Sequence, residues 1–363
     1  MRKRTFVAVG YYGMRNLGDD LFVATLAQLA PPDVRLLICA PPINGVEARY
    51  LVPPGLAEIY RASHRGGAAL RLAVGVLGAL LADVAILGGG SVLQDVRGVR
   101  RAQASVTKLR RTPWRGVGVS VGPFEDREGR AHVINFLTSF EALFVRDTKS
   151  VERAAHDCGH PAVETRADLA ASFALPRVDV RRGAVAYIPC ANAGRSENAS
   201  LVAALASAAM ASSEPMTIRV LSVNSHEDHG DDGLASEAAD VLRRHGVSTE
   251  VYLYSETGLT NMCRLIGSSE AVISGRMHGA LVAEMYGRPA AVLEYHEKIT
   301  QALVALDSSQ IVGLSREVTD WTGTIAQVIG RHNKAPACRD AHRSPPNITT
   351  MDVYPAASRE SKS

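Results

Sequence analysis

The chain has 363 residues, 46% hydrophobic and 21% charged, with 40 Lys and Arg against 37 Asp and Glu and a net charge of +3. A length beyond the ~250–300 residues that a single core sustains points to two domains, and this composition excludes wholesale disorder. Only 5% of the residues are aromatic, too few for the stacking platforms of a single-strand nucleic-acid binder.

The charge is unevenly divided. Residues 1–175 hold 22 basic and 16 acidic side chains, a balance of +6, and the remainder holds 18 and 21, a balance of −3. The basicity of the first half suits an anionic ligand better than a surface that coats nucleic acid. Cys39, Cys158, Cys190, Cys263 and Cys338 are scattered without a C-x-x-C pair, which reads as reduced intracellular thiols and not as a disulfide frame or zinc site. The apolar run after Met-Arg-Lys-Arg stops at Gly10, too short for a signal peptide, so it reads as a first strand.

Strand-length apolar runs alternate with helical patterns along the whole chain, the mark of parallel sheets with crossover helices. Thr5–Val9 leads through a glycine turn into a helix from about Asp19 to Leu29, and Arg35–Cys39 is the next strand. The longest apolar stretch, Leu72–Ala82, falls far short of the ~20 residues that span a bilayer. It reads as a helix packed on a sheet, with a membrane-surface role as the alternative because Arg61, His64, Arg65 and Arg71 lie just upstream. Val84–Leu87, Gly116–Val121 and Ala142–Val145 continue the strands, with a helix beginning near Lys149.

Residues 176–183, rich in Pro, Arg and Gly, break the pattern and read as a linker between domains at 1–175 and 184–333. Ala184–Ile188, Ile218–Val223, Thr249–Leu253, Ala271–Ile273 and Ala290–Leu293 are the strands of the second alternation. Residues 334–363 are Pro-, Ser- and charge-rich and read as a disordered tail. The fold class expected is α/β, with two doubly wound Rossmann-like domains facing a cleft. Ligands on such sheets bind outside the C-terminal ends of the strands.

Several motifs fall at that address. Gly10-Tyr-Tyr-Gly13-Met-Arg-Asn16-Leu-Gly18-Asp19-Asp20 follows the first strand and opens a helix, so its backbone N–H groups can meet an anion, although Asp19 and Asp20 in the first turn oppose one. It lacks the spacing of a dinucleotide fingerprint or a P-loop. Leu87-Gly-Gly89-Gly90 ends a strand where a ligand can approach the backbone, and Asp95 beyond it is a candidate proton acceptor. Seven basic residues and no acid lie between Val96 and Arg115, and Arg97, Arg101, Lys108, Arg111 and Arg115 fall near one helical face. This reads as a solvated face, with a docking site for a polyanion as the alternative.

Arg146, at a strand end beside Asp147, can hold phosphate or carboxylate bidentately. The strongest motif is Ser274-Gly-Arg276-Met-His278-Gly279. It places a fixed cation and a titratable ring at a helix start, which suits proton transfer to an anionic substrate. Tyr295-His-Glu-Lys298 follows the next strand and can close over the same cleft. His226, Asp228, His229, Asp231 and Asp232 match no standard metal spacing and read as a solvated polar loop.

Taken in order, Asn16-x-Gly18-Asp19, the Gly88–Gly90 turn with Asp95, Arg146-Asp147 and the Arg276-x-His278 helix start resemble the polysaccharide pyruvyl transferase family over roughly residues 5–310. The resemblance implies a fold similar to the glycosyltransferase B type. It also implies transfer of pyruvate from phosphoenolpyruvate to two hydroxyls of a glycan precursor, as a cyclic ketal with release of phosphate. Phosphoenolpyruvate is then a co-substrate, and neither cofactor nor metal is expected. Arg276 and His278 are expected to line its pocket, with Arg146 as a second cation, His278 as general acid and Asp95 as base. Asn16, Gly18, Asp19, Gly89, Gly90 and Lys298 complete the expected binding set. Two departures stand out: Met277 replaces the family's Leu, and Pro189-Cys-Ala-Asn-Ala-Gly194 replaces a more polar loop.

The expected setting is polysaccharide or cell-envelope biosynthesis, with a sugar or lipid-linked oligosaccharide as acceptor. A cytoplasmic protein at the inner membrane face, touching it through the basic half, fits that setting. A nucleotide-sugar glycosyltransferase is the alternative enzyme, because Glu284-x-x-Gly287-x-Pro289 resembles a ribose-holding segment. A non-catalytic glycan-binding member is the third reading.

Overall fold

A computed structural model describes the chain except for residues 1–2, 97–98, 161–162, 307, 319, 332–346 and 356–363, and the side chains of 99 and 298. The first half runs β1 (Arg4–Val9), α1 (Leu17–Leu29), β2 (Val34–Ile38), β3 (Arg49–Tyr50), α2 (Ala57–Arg61), α3 (Arg65–Leu81), β4 (Val84–Leu93), α4 (Val99–Arg110), β5 (Trp114–Val121), α5 (Arg127–Leu137), β6 (Phe140–Val145), α6 (Thr148–Glu152) and β7 (Val163–Thr165). The second runs β8 (Ala184–Ile188), α7 (Arg195–Ala211), β9 (Thr217–Ser222), α8 (Asp232–Arg244), β10 (Ser248–Leu253), α9 (Tyr254–Gly267), β11 (Ala271–Ser274), α10 (Met277–Met285), β12 (Ala290–Glu294), α11 (Glu297–Leu306), β13 (Ile311–Ser315) and α12 (Thr322–Gly330). A last short helix, α13, covers Thr350–Val353.

The strands form two sheets, ordered β3-β2-β1-β4-β5-β6-β7 and β10-β9-β8-β11-β12-β13, with parallel pairing throughout. Strands such as Ala184–Ile188 and Ala290–Glu294 are almost wholly apolar and buried, because helices cover both faces of a doubly wound sheet. In each sheet the order reverses beside the first strand, at β1/β4 and at β8/β11. The loops there splay apart and leave a crevice.

The halves are joined by more than the linker. Leu17 donates its N–H to the Val223 carbonyl at 2.9 Å, and Ser225 donates to Arg15 at 2.9 Å. Tyr254 donates its hydroxyl to the buried Asp20 at 2.9 Å. Leu17, Leu21 and Phe22 of α1 belong to the same apolar cluster as Leu259, Met262 and Leu281 of the second half.

Two expectations change. Residues 347–355 are not a loose tail: they fold back on the first domain. Ile348, Val353 and Tyr354 are buried there, and the Tyr354 hydroxyl donates to the Leu26 carbonyl at 2.7 Å. Burial of these three apolar side chains offsets the entropy of ordering the segment.

The basic stripe is not one helical face either. Pro113 ends the helical stretch, and Arg115 lies buried on β5, where it donates to the Asp352 carbonyl and pairs with Glu141 at 2.7 Å. Among the described residues no helix is long and apolar enough to cross a membrane.

Candidate active site

The loops at the two switch points meet across the domain boundary. After β1, Asn16 caps α1 by accepting from the Gly18 N–H at 3.0 Å. Its backbone also pairs as an antiparallel bridge with Asn224 of the second domain. Gly18 is required by its neighbour: a Cβ there would lie 2.2 Å from Nδ1 of His278. The ring of His278 therefore rests on the first turn of α1, edge-on to Phe22 with centroids 5.2 Å apart.

The glycine turn of β4 serves mainly the protein itself. The Tyr12 hydroxyl donates to the Gly88 carbonyl at 2.6 Å and accepts from the Gly88 N–H at 3.1 Å. Gly89, with φ +68°, accommodates the Phe22 ring, which would lie 2.3 Å from a Cβ. Gly90 is the more open position, with Asp19 Oδ1 3.9 Å from its would-be Cβ.

His278 Nε2 is buried, has no hydrogen-bond partner and lies 3.8 Å from Asp168 Oδ1. Asp168, from the first domain, is itself buried. It accepts from Arg146 Nη1 at 2.6 Å and from the Ala170 N–H at 2.9 Å. Arg146 is held in turn by Ser120 Oγ at 2.8 Å and Ser91 Oγ at 3.2 Å. Burial alone would push the Asp168 carboxyl up, but Arg146 and His278 outweigh it and hold it below the ordinary carboxylate range. The result is a fixed anion behind the imidazole.

Arg276 forms the other pole. Asp231, fully buried, accepts from its Nε at 2.9 Å and its Nη2 at 2.7 Å, and so takes one edge of the guanidinium and leaves Nη1 outside the pair. Burial opposes the charge on Arg276, and Asp231 overcomes that and raises its pKa.

Asp19 lies within electrostatic range of both arginines and His278. Burial pushes its carboxyl up to about 6, against the pull of His278, Arg276 and Arg146 and with a further push from Asp168. Arg100 of α4 turns inward as well. Its Nη1 is buried without a hydrogen-bond partner, and Tyr12, Tyr60 and Asp19 are its electrostatic neighbours.

The structure thus brings together Asn16, Gly18, Asp19, Gly90, Arg146, Arg276 and His278. Among the described residues, the hydrogen bonds and ion pairs of His278, Arg146 and Arg276 run to Asp168, Ser120, Ser91 and Asp231. Lys298 lies in α11, with its side chain outside the described residues, and the neighbouring Glu297 pairs across the boundary with Lys149.

Asp168 had no motif to announce it, Asp231 was read only as part of a solvated loop, and Arg100 was counted as part of a surface stripe. The loop expected to be solvated is only partly so. His226 is buried and Asp231 holds Arg276, while Glu227, Asp228 and His229 are exposed. Among the described residues no group of three or more His, Cys, Asp or Glu side chains could hold a metal ion. Glu284, the expected ribose holder of the alternative enzyme, accepts from Ser308 at 2.5 Å.

Two doubly wound domains whose switch points face one another define a two-domain architecture of the glycosyltransferase B type, and solved structures share it. A UDP-bound structure of S. aureus MnaA is 10% identical with a TM-score of 0.60, over 97% of this chain and 94% of that one. A UDP-N-acetylglucosamine 2-epimerase from Neisseria meningitidis is also 10% identical, with a TM-score of 0.57 over 93% and 95%. One from Methanocaldococcus jannaschii is 9% identical, with a TM-score of 0.57 over 96% and 95%. At such identities the likeness is one of fold. No curated protein sequence matches the chain at a significant level. The family model for polysaccharide pyruvyl transferase matches residues 16–297, most of the chain, and the protein belongs to that family.

Proposed function

We propose that the protein transfers pyruvate from phosphoenolpyruvate to a pair of hydroxyls on a glycan precursor. The observation that carries this reading is the unpartnered Nε2 of His278, backed by the Asp168 carboxylate and, behind it, Arg146. A proton held on Nε2 has no protein acceptor other than a carboxylate that Arg146 keeps ionised, so it is available to a substrate atom.

Phosphoenolpyruvate presents a carboxylate and a phosphate. Arg276 Nη1 and Arg100 Nη1 are the guanidinium groups free to receive them, since Asp231 and Asp168 already occupy Arg276 and Arg146 in part. His278 delivers its proton to the methylene carbon, and positive charge develops at C2. The first sugar hydroxyl bonds to C2 and loses its proton to a carboxylate. Asp19 is the candidate we assign, because it lies within electrostatic range of His278 and burial raises its carboxyl to about 6. The C2–O bond to phosphate then breaks, the second hydroxyl closes the ring, and its proton leaves with the phosphate. Asp19 then gives up the first hydroxyl proton to solvent and His278 regains one from it, so over the cycle the two hydroxyl protons are balanced by one on the new methyl group and one on phosphate, without a redox partner.

The test is phosphate release from phosphoenolpyruvate against sugar nucleotides, simple glycosides and lipid-linked oligosaccharides, with mass spectrometry of any product. Acceptor-dependent release with a pyruvate ketal on the product is expected. His278→Asn should lower kcat by about 10²–10⁴-fold with KM for phosphoenolpyruvate little changed. Thermal stabilisation by a nucleotide-sugar alone, with no response to phosphoenolpyruvate, would overturn the reading in favour of glycosyl transfer.

A further inference from the structure

Helix α3 is built inside out. A helix laid on a sheet normally turns its large apolar side chains inward. Here the buried positions are Gly67, Val74, Gly75, Gly78 and Ala79, while Leu72, Leu77, Leu80 and Leu81 are 40–49% exposed. The inner face has no room for anything larger: a Cβ at Gly78 would lie 2.5 Å from Cys39 Sγ and 3.0 Å from Val7. Between Leu72 and Ala82 the helix carries no charge.

The exposed row does not stand alone. Leu56 and Ile59, before and within α2, are also exposed, and Leu109 at the end of α4 is 91% exposed. Arg110 donates to the Ala79 carbonyl at 3.5 Å, which sets the end of α4 beside the last turn of α3. Exposed Arg65, Arg101, Lys108, Arg110 and Arg111 accompany the leucines on these two helices. From Ile59 to Phe124 the acids are Asp83, which accepts from the Thr5 N–H, and Asp95.

We propose that the outer face of α3, with the last turn of α4, seats this protein on a lipid bilayer that contains anionic lipid. Exposed leucines amid arginines and lysines supply both attractions that hold a helix at such an interface: apolar burial at the acyl boundary and charge against the headgroups. The charge favours lipid over a second copy of the chain, since a twofold contact through this face would set its basic side chains against their own equivalents. The inference does not rest on the pyruvyl transfer reading.

Flotation with phosphatidylcholine vesicles, with and without phosphatidylglycerol, tests it. The full chain should float with the mixed vesicles at low salt, weakly with phosphatidylcholine alone, and less as salt rises. Leu77→Gln/Leu80→Gln/Leu81→Gln should lower partitioning more than tenfold with Tm little changed, because these side chains are 43–49% exposed and belong to none of the buried apolar clusters. Arg101→Ser/Arg110→Ser should abolish the gain from phosphatidylglycerol and leave the weak apolar binding. Failure to float with the mixed vesicles at low salt, or equal partitioning of the leucine variant, would overturn the proposal. So would a wild-type dimer that the leucine substitutions dissolve in the absence of lipid.

Discussion

Asp168 shows how one carboxylate can tie a site together. It neutralises Arg146, faces His278 across the domain boundary and caps the short turn that follows it. In the proposed mechanism it is a positioning residue that fixes the charge beside the imidazole. Asp168→Asn keeps the shape and removes the charge. A fall in kcat with KM for phosphoenolpyruvate and Tm little changed is expected, whereas a purely structural role would lower Tm. The roles of Asp168 and Asp231 could not be read from the sequence: Asp168 belongs to no motif, and Asp231 sits in an acidic loop that reads as solvated. Their meaning comes from Arg146 at 2.6 Å and Arg276 at 2.7 Å, partners 22 and 45 residues away. Arg276 and His278 were legible because a strand, a Ser-Gly turn and a helix start occur within a few residues.

Among the elements, α1 and α10 meet where their first turns face one another, and Gly18 sets the distance. Ala is favoured over Gly inside a helix by about 1 kcal/mol, so Gly18→Ala should leave Tm close to that of the wild type. A Cβ 2.2 Å from Nδ1 must nevertheless displace His278. A fall in kcat without loss of stability, read by phosphate release beside a thermal melt, would separate the two effects.

Most strands were legible because buried parallel strands read as unbroken apolar runs. β3, β7 and β13 were not: the first two are two and three residues long, and most residues of all three are only partly buried or exposed. The stripe ending at Arg115 misled because helical spacing was counted through Pro113, where the chain leaves the helix and enters β5. Leu72–Ala82 does form a helix packed on a sheet, but an apolar helix carries no mark of which side faces inward, and here the glycines and not the leucines do.

For the molecule as a whole, the buried bond between Asp20 and Tyr254 links domain contact to pH. Burial raises the Asp20 carboxyl to about 7 from 3.8, more than the Gly13 N–H and the Tyr254 hydroxyl lower it, and Asp19 adds to the rise. The folded chain therefore holds this proton more tightly than the unfolded one. The stability it contributes is fully present below about pH 4 and is lost as the pH rises through about 7. Asp20→Asn, which keeps an acceptor for Gly13 and a group to meet the Tyr254 oxygen, should flatten that slope. Urea midpoints at about pH 5 and about pH 8 should differ less in the variant than in the wild type, and equal slopes would show that Asp20 is not the group responsible.

The return of residues 347–355 to the first domain also orders events in time. A ribosome adding about 5–20 residues per second takes roughly 10–40 s to go from the end of β7 to Tyr354. Through that interval the first sheet exists, but Leu26 lacks the hydroxyl that will cover its carbonyl and the groove for Ile348 and Val353 stays open. The second domain can complete its own sheet before the first is sealed. The half of the protein made earliest is the half finished last.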